Sequence, residues 1–121
     1  GQLTHVISSH TSSPISRRNL KSRNQHLSAL KNHVAKLDSP TIIIGDFNTV
    51  PWDENMITLK EDAHLIDSRK SYTSTFPSYL GYAGIPIDYI LHTEEITCTK
   101  FNSIPIEGSD HMGIIGEYVI N

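Results

Sequence analysis

The segment Thr41-Ile42-Ile43-Ile44-Gly45 constrains this chain more than any other. It is a short, continuous apolar run that follows a helical pattern. Alternate side chains of a strand point to opposite faces, so a strand apolar at every position has to be covered on both sides. The run therefore reads as a central strand of a layered α/β domain. Asp46-Phe47-Asn48 then falls in the loop just past its C-terminal end.

The surrounding sequence supplies the layers. Residues 3–9 read as a strand, and His10 opens a Ser/Thr/Pro loop that runs to Ser16. A helix is predicted over residues 18–37, with Leu20, Leu27, Leu30, Val34 and Leu37 at helical spacings. Ser16 or Asn19 can cap its start. Asp38-Ser39-Pro40 ends it, because proline disfavours helix in the residue before it. A weaker helix is predicted over residues 53–61, with Pro51 near its start. Residues 68–86, rich in Ser, Tyr, Gly and Pro, read as a long surface loop of the kind that is often functional. Residues 87–92, 96–101 and 112–120 read as three further strands. The order β-α-β-α-β-β-β suits one mixed sheet with helices against it.

A chain of 121 residues suits one small domain, residues 1–121, and 37% apolar content suits a folded one. The single Cys98 excludes an internal disulfide and a Cys-rich zinc site. No apolar run reaches membrane-spanning length, and no signal-peptide pattern opens the chain. The chain reads as a strand almost from Gly1, so it is expected to be a piece of a longer protein, and its localisation stays open. Charge is uneven. Six cations and no acid precede Asp38; from Asp38 onward there are four cations and thirteen acids. That division suits a site holding an anion with cations and a metal with carboxylates, or else an ordinary solvated helix face.

Three short segments could carry chemistry. In Gly45-Asp46-Phe47-Asn48 the carboxylate and amide are two residues apart, so in extended chain they share a side. One can orient a water or metal while the other donates to a developing oxyanion. The plainer reading is an Asx-type turn after a strand. In Gly108-Ser109-Asp110-His111 a carboxylate adjoins an imidazole, a pairing suited to metal binding and proton transfer if Gly108 lets the backbone bend. A polar loop is the alternative. In Ile87-Asp88-Tyr89-Ile90 an acid sits among apolar residues, where it needs a partner unless it lies at an edge facing water. An imidazole is the natural partner, which the carboxylate would orient. His10, at the end of the first strand, could protonate a leaving oxygen. His26 and His33 share a helix face without an assigned role.

In combination these segments, with His10 after a strand, Arg23 and Gln25 on the helix and Thr75-Phe76-Pro77 in the long loop, are similar to the endonuclease/exonuclease/phosphatase family. That family includes pancreatic-type deoxyribonucleases, abasic-site endonucleases, sphingomyelinases and inositol-polyphosphate phosphatases. The likeness covers nearly the whole chain and is specific to the family, not to one substrate. The His10-Thr11-Ser12-Ser13-Pro14 opening and Pro51-Trp52 look most like bacterial members, some of which carry membrane helices before the domain.

The resemblance implies the C-terminal half of a four-layer α/β sandwich, with one mixed sheet and helices on one face. It implies that His10 hydrogen-bonds the phosphate and acts as a general acid, and that Asp46 orients or deprotonates the attacking water. Asn48 would hold a phosphoryl oxygen. His111 would stabilise the phosphoryl group, with Asp88 orienting it. Asp110 would be a metal ligand, for Mg2+ or Mn2+. A preceding half would supply an asparagine and the glutamate that is the principal metal ligand. The expected reaction is hydrolysis of a phosphodiester or phosphomonoester, in a nucleic acid, lipid or sugar phosphate. The rival is a non-catalytic interaction fragment without that glutamate. Either way the strand at residues 41–45 should have one face on the helix. Its other face should meet the missing half or a second copy.

Overall fold

The three isoleucines lie at the centre of a sheet. The computed structural model describes residues 2–121. β2 (Thr41–Asp46) has β1 (His5–His10) parallel on one side and β4 (Asp88–His92) antiparallel on the other, with a two-residue β3 (Ile66–Asp67) antiparallel beyond β4. Parallel neighbours need a crossover, and α1 (Arg17–Val34) supplies it. The mixed sheet is the one expected, with β3 as an additional short strand. The last two strands, β5 (Ile96–Ile104) and β6 (Gly113–Ile120), do not extend it; they pair with each other as a separate ribbon.

Local chemistry sets the helix ends. Ser16 caps α1, its hydroxyl accepting from the Asn19 amide at 3.1 Å. α1 stops at Val34, three residues before the expected end. The amides of Ala35 and Leu37 bond back to Lys31 and Val34 in a final turn that sends the chain towards β2. α2 (Glu54–Asp62) starts at Asp53, whose carboxylate accepts from the Asn55 amide at 2.8 Å.

Both helices cover one face of the sheet. Leu27, Leu30 and Val34 from α1 and Met56 and Leu59 from α2 enclose Ile43, Phe47, Tyr89 and Leu91. Truncating a filled aromatic position in such a core costs about 3–5 kcal/mol, and Phe47 is fully buried, stacked on Tyr89 at 5.5 Å. The opposite face is different. There Val6 is 66% exposed, Ile44 38% and Ile66 47%. The ribbon folds over only the β4 side, where the Tyr118 hydroxyl meets Ser68 Oγ at 2.6 Å and its ring packs edge-on against His92. Ile90 and His92 are buried there.

Pairing also aligns one row of side chains. His10 on β1 is opposite Asp46 on β2, and Asp46 is opposite Asp88 on β4. Directly paired residues share a face. The three therefore lie side by side at one end of the sheet, on the face away from the helices.

Candidate active site

Asp46 is the last residue of β2, and the chain must turn there without losing its aim. Glycine at 45 is required by close approach: a Cβ would lie 1.7 Å from the Ser9 carbonyl oxygen of β1. Past Asp46 the Asn48 amide donates to Asp46 Oδ1 at 2.9 Å, an Asx turn. Asn48 takes a left-handed backbone (φ 46°), which asparagine tolerates better than most residues. The extended geometry considered for Asp46 and Asn48 is thus replaced by a turn. One Asn48 side-chain N–H donates to the Thr11 carbonyl at 2.8 Å, which leaves its second N–H available.

Buried polar groups lock this turn from behind. The guanidinium of Arg23, 5% exposed, donates to the Asn48 carbonyl and to Asp53 Oδ2 at 3.1 and 2.9 Å. Thr11 Oγ1 donates to the Phe47 carbonyl at 2.6 Å, and the Tyr89 hydroxyl donates to the Thr49 carbonyl. Burial, against the opposing charge of Arg69, pushes the Tyr89 phenol far up, so it remains a donor. Burial tends to raise the Asp53 carboxyl, but the Asn55 hydrogen bonds and the Arg23 cation outweigh it and hold Asp53 below the ordinary carboxylate range.

The other side of the site comes from two loops that cross. Thr75 is fully buried, and its hydroxyl accepts from the Ile87 and Asp88 amides, fixing the start of β4. Arg69 donates to the Asp88 carbonyl, its guanidinium lying between the Tyr89 and Phe101 rings. The Ser78 amide donates to the Asp110 carbonyl at 2.7 Å, and the Met112 amide to the Thr75 carbonyl at 2.8 Å. His111 is thereby held over the sheet end, tilted on Phe76 with ring centroids 4.7 Å apart.

The side chains converge. His111 Nδ1 and Asp88 Oδ2 are 2.8 Å apart, a carboxylate–imidazole hydrogen bond. His111 Nε2 is 3.6 Å from Asp46 Oδ2, and His10 Nε2 approaches the same oxygen at 3.8 Å from the solvent side. Burial raises the Asp46 carboxyl; the Asn48 hydrogen bond and the two imidazoles oppose this, Asp88 adds to it, and the net is upward. Burial disfavours the His111 imidazolium, yet the Asp88 hydrogen bond and the charges of Asp88, Asp46 and Asp110 outweigh it, raising His111 above its ordinary value. The pair is poised as a more basic carboxylate beside a more persistent cation.

A ligand atom from each of Asp46, Asp88 and His111 lies within 4.8 Å of the other two. Carboxylate oxygens with one imidazole are a donor set that accepts Mg2+ or Mn2+. Asp110 stands outside this trio: it is exposed and close enough to His111 for its charge to be felt. Five of the six candidate side chains, those of His10, Asp46, Asn48, Asp88 and His111, thus gather at the sheet end, with Asp110 at the rim. Sequence reasoning assigned no role to Arg23, Arg69 or Thr75. A cation at a strand-adjacent helix position reads as solvated until the fold buries it. His26, left unassigned, links α1 to β1 through Ser9 Oγ at 2.9 Å.

Residues 3–111 match the model of the endonuclease/exonuclease/phosphatase family. Among solved structures, a functionally unknown conserved protein from Enterococcus faecalis is 23% identical, with a TM-score of 0.78 over 96% of this chain and 50% of its own. An endonuclease/exonuclease/phosphatase from Beutenbergia cavernae is 22% identical, with a TM-score of 0.76 over 95% of this chain and 36% of its own. An AP endonuclease from Archaeoglobus fulgidus is 17% identical, with a TM-score of 0.70 over 98% and 62%. This chain thus spans half or less of the first two structures. Comparison with curated protein sequences finds no match.

Proposed function

The chain belongs to the endonuclease/exonuclease/phosphatase family, and from that premise we propose that it carries the hydrolytic half-site of a metal-dependent phosphoesterase. The observation that supports this best is the Asp88–His111 hydrogen bond of 2.8 Å placed beside Asp46 on one register row. Asp46, with its raised carboxyl, accepts a hydrogen bond from the attacking water and takes its proton. The imidazolium of His111, held by Asp88, donates to a phosphoryl oxygen where negative charge builds up. Asn48 offers its second N–H to the same group. His10, exposed beside Asp46, donates a proton to the leaving oxygen. Water adds its oxygen to phosphorus, the P–O bond to the alcohol breaks, and the products are the free alcohol and the phosphate. The Asp46 and Asp88 carboxylates would hold Mg2+ or Mn2+, with Asp110 adding negative charge from the rim; the ion would supply neutralisation of a phosphoryl oxygen.

The test is turnover of a generic aryl phosphate mono- or diester by the complete domain in Mg2+ or Mn2+. Metal-dependent turnover equal in wild type and Asp46→Asn would remove Asp46 from the mechanism.

The second reading, an interaction module, is favoured by the open sheet face. Val6 and Ile44 expose apolar surface there, and such patches drive association. We propose that this face seats the remaining half of the domain, and that the 121-residue chain alone self-associates through it. Sedimentation of the isolated chain checks this. A monomer at all accessible concentrations counts against it, and Ile44→Lys should weaken any association seen.

A further inference from the structure

The first residue of β4 is Asp88, and its backbone has to be held on the side away from β2. Hydrogen-bonded and non-hydrogen-bonded pairs alternate along an antiparallel ladder. The Phe47 amide donates to the Ile87 carbonyl at 2.9 Å, so Asp88, the next residue and the partner of Asp46, turns its own N–H and C=O outward. The neighbour on that side is β3, which stops short of it. β3 pairs with His92 and Leu91, and the Ser68 amide reaches the Ile90 carbonyl at 3.0 Å. The chain then turns away, the Arg69 amide donating to Asp67 Oδ1 at 2.9 Å. Side chains stand in for the strand that ends too soon. Thr75 Oγ1 accepts from the Asp88 amide at 3.2 Å, and the Arg69 guanidinium donates to the Asp88 carbonyl.

We propose that Arg69 is a positioning residue for the Asp88–His111 pair, and that through it the β5–β6 ribbon becomes part of the reaction geometry. The inference rests on the phosphoesterase reading above. The Arg69 side chain is 6% exposed. Its planar fork serves three elements at once: the Asp67 carboxylate of β3 at 3.1 Å, the Thr73 carbonyl of the long loop at 3.2 Å, and Asp88 on β4. Aromatic rings flank it, Tyr89 of β4 at 5.1 Å and Phe101 of the ribbon at 5.5 Å. Lysine would keep the charge but not the fork, since an ammonium is a compact point donor. The clamp fixes the peptide of Asp88, and with it the aim of the carboxylate that lies 2.8 Å from His111 Nδ1. Arg69 spends its donors on protein acceptors and stands outside the Asp46–Asp88–His111 cluster, so it acts through Asp88 and not on the substrate.

The experiment uses the complete domain with Mg2+ and p-nitrophenyl phosphate, with kcat and KM measured separately. Arg69→Lys is expected to lower kcat about ten- to hundredfold, as a small misplacement of a reacting group does, and to leave KM unchanged. Phe101→Leu should lower kcat about two- to fivefold, the size of a lost cation–π contact. Exposed Lys100→Ala beside it should have no effect. A second readout needs no turnover. The His111 ring proton shared with Asp88 should give a downfield proton NMR signal that His111→Ala lacks, and Arg69→Lys should shift or broaden it. A folded Arg69→Lys that keeps wild-type kcat, or keeps that signal in place, overturns the proposal. A rise in KM with kcat retained would put Arg69 on the substrate and overturns it too. If Arg69→Lys does not fold, the same two readouts on Phe101→Leu decide in the same way. No turnover by the wild type counts against the phosphoesterase reading, and the NMR signal alone then decides the role of Arg69.

Discussion

The turn that ends β2 and the loop over residues 71–84 flank the same candidate site and are built in opposite ways. In the turn, Phe47 and Thr49 are buried, and four side chains from other elements grip the backbone: Arg23, Thr11, Asp53 through Arg23, and Tyr89. In the loop, Tyr79 is 79% exposed and Tyr82 91%, and burial is confined to Thr75 near its start and Gly84 at its end. The difference separates two demands. On the proposed mechanism, a carboxylate that aims a water needs an over-determined backbone, whereas an exposed loop is free to vary in its side chains.

The largest effect that would sharpen this contrast is on chemistry. In the complete domain, Asp46→Asn and His111→Ala should each lower turnover about 10²–10⁴-fold, as loss of a general acid–base group does, with thermal unfolding little changed. Next comes stability. Arg23→Ala removes a buried guanidinium from the half-buried Asp53 and from the Asn48 carbonyl, a loss of about 1–3 kcal/mol. Denaturant unfolding measures it, and a loss below about 0.5 kcal/mol would show the turn is not held from behind.

A smaller effect follows pH. The folded-state carboxyl of Asp53 is depressed, so its contribution is complete above the unfolded carboxylate value of about 3.9 and is lost as pH falls through the lower folded value. The stability difference between wild type and Asp53→Asn should therefore be constant from pH 7 to 5 and shrink below pH 4. A difference that grows on acidification contradicts the assignment. The smallest effect belongs to the loop. Tyr79→Ala should change unfolding free energy by less than about 0.5 kcal/mol, and a loss as large as that of Arg23→Ala would erase the contrast.

How much of this could be read in the sequence follows from the range of the interactions. β2 and the turn after it were legible because a run of isoleucine and an Asp-x-Asn turn are local signals. The Asp88–His111 bond joins residues 23 apart. It was expected because a carboxylate in an apolar strand needs a partner, and because of the family resemblance. β3 was not legible: two residues, Ile66 and Asp67, become a strand only by pairing with His92 and Leu91. The separate ribbon was missed for a related reason. Strand patterns give a face but not a neighbour, and only the β5–β6 register, from Ile96 opposite Ile120 to Ile104 opposite Gly113, decides it. Arg23 belongs to the pattern that carries the family resemblance, but its burial was not legible, because its neighbours Arg17, Arg18 and Lys21 are the solvated cations their sequence suggests. Nothing local marks the fourth as buried.

If the proposed function holds, the alignment of His10, Asp46 and Asp88 across three paired strands makes activity an indicator of how the strands have zipped. A shift of β1 or β4 by a single residue against β2 would turn its contribution to the helix side, leaving a sheet with most of its hydrogen bonds and a dismantled reaction centre. Loops between these strands can lengthen without moving that row. A one-residue insertion or deletion inside β1, β2 or β4 cannot be absorbed in that manner. The strands should accordingly be the part of the chain whose length is least free to vary, and the spacing from Val6 to His10, from Ile42 to Asp46 and from Asp88 to His92 is the quantity under constraint.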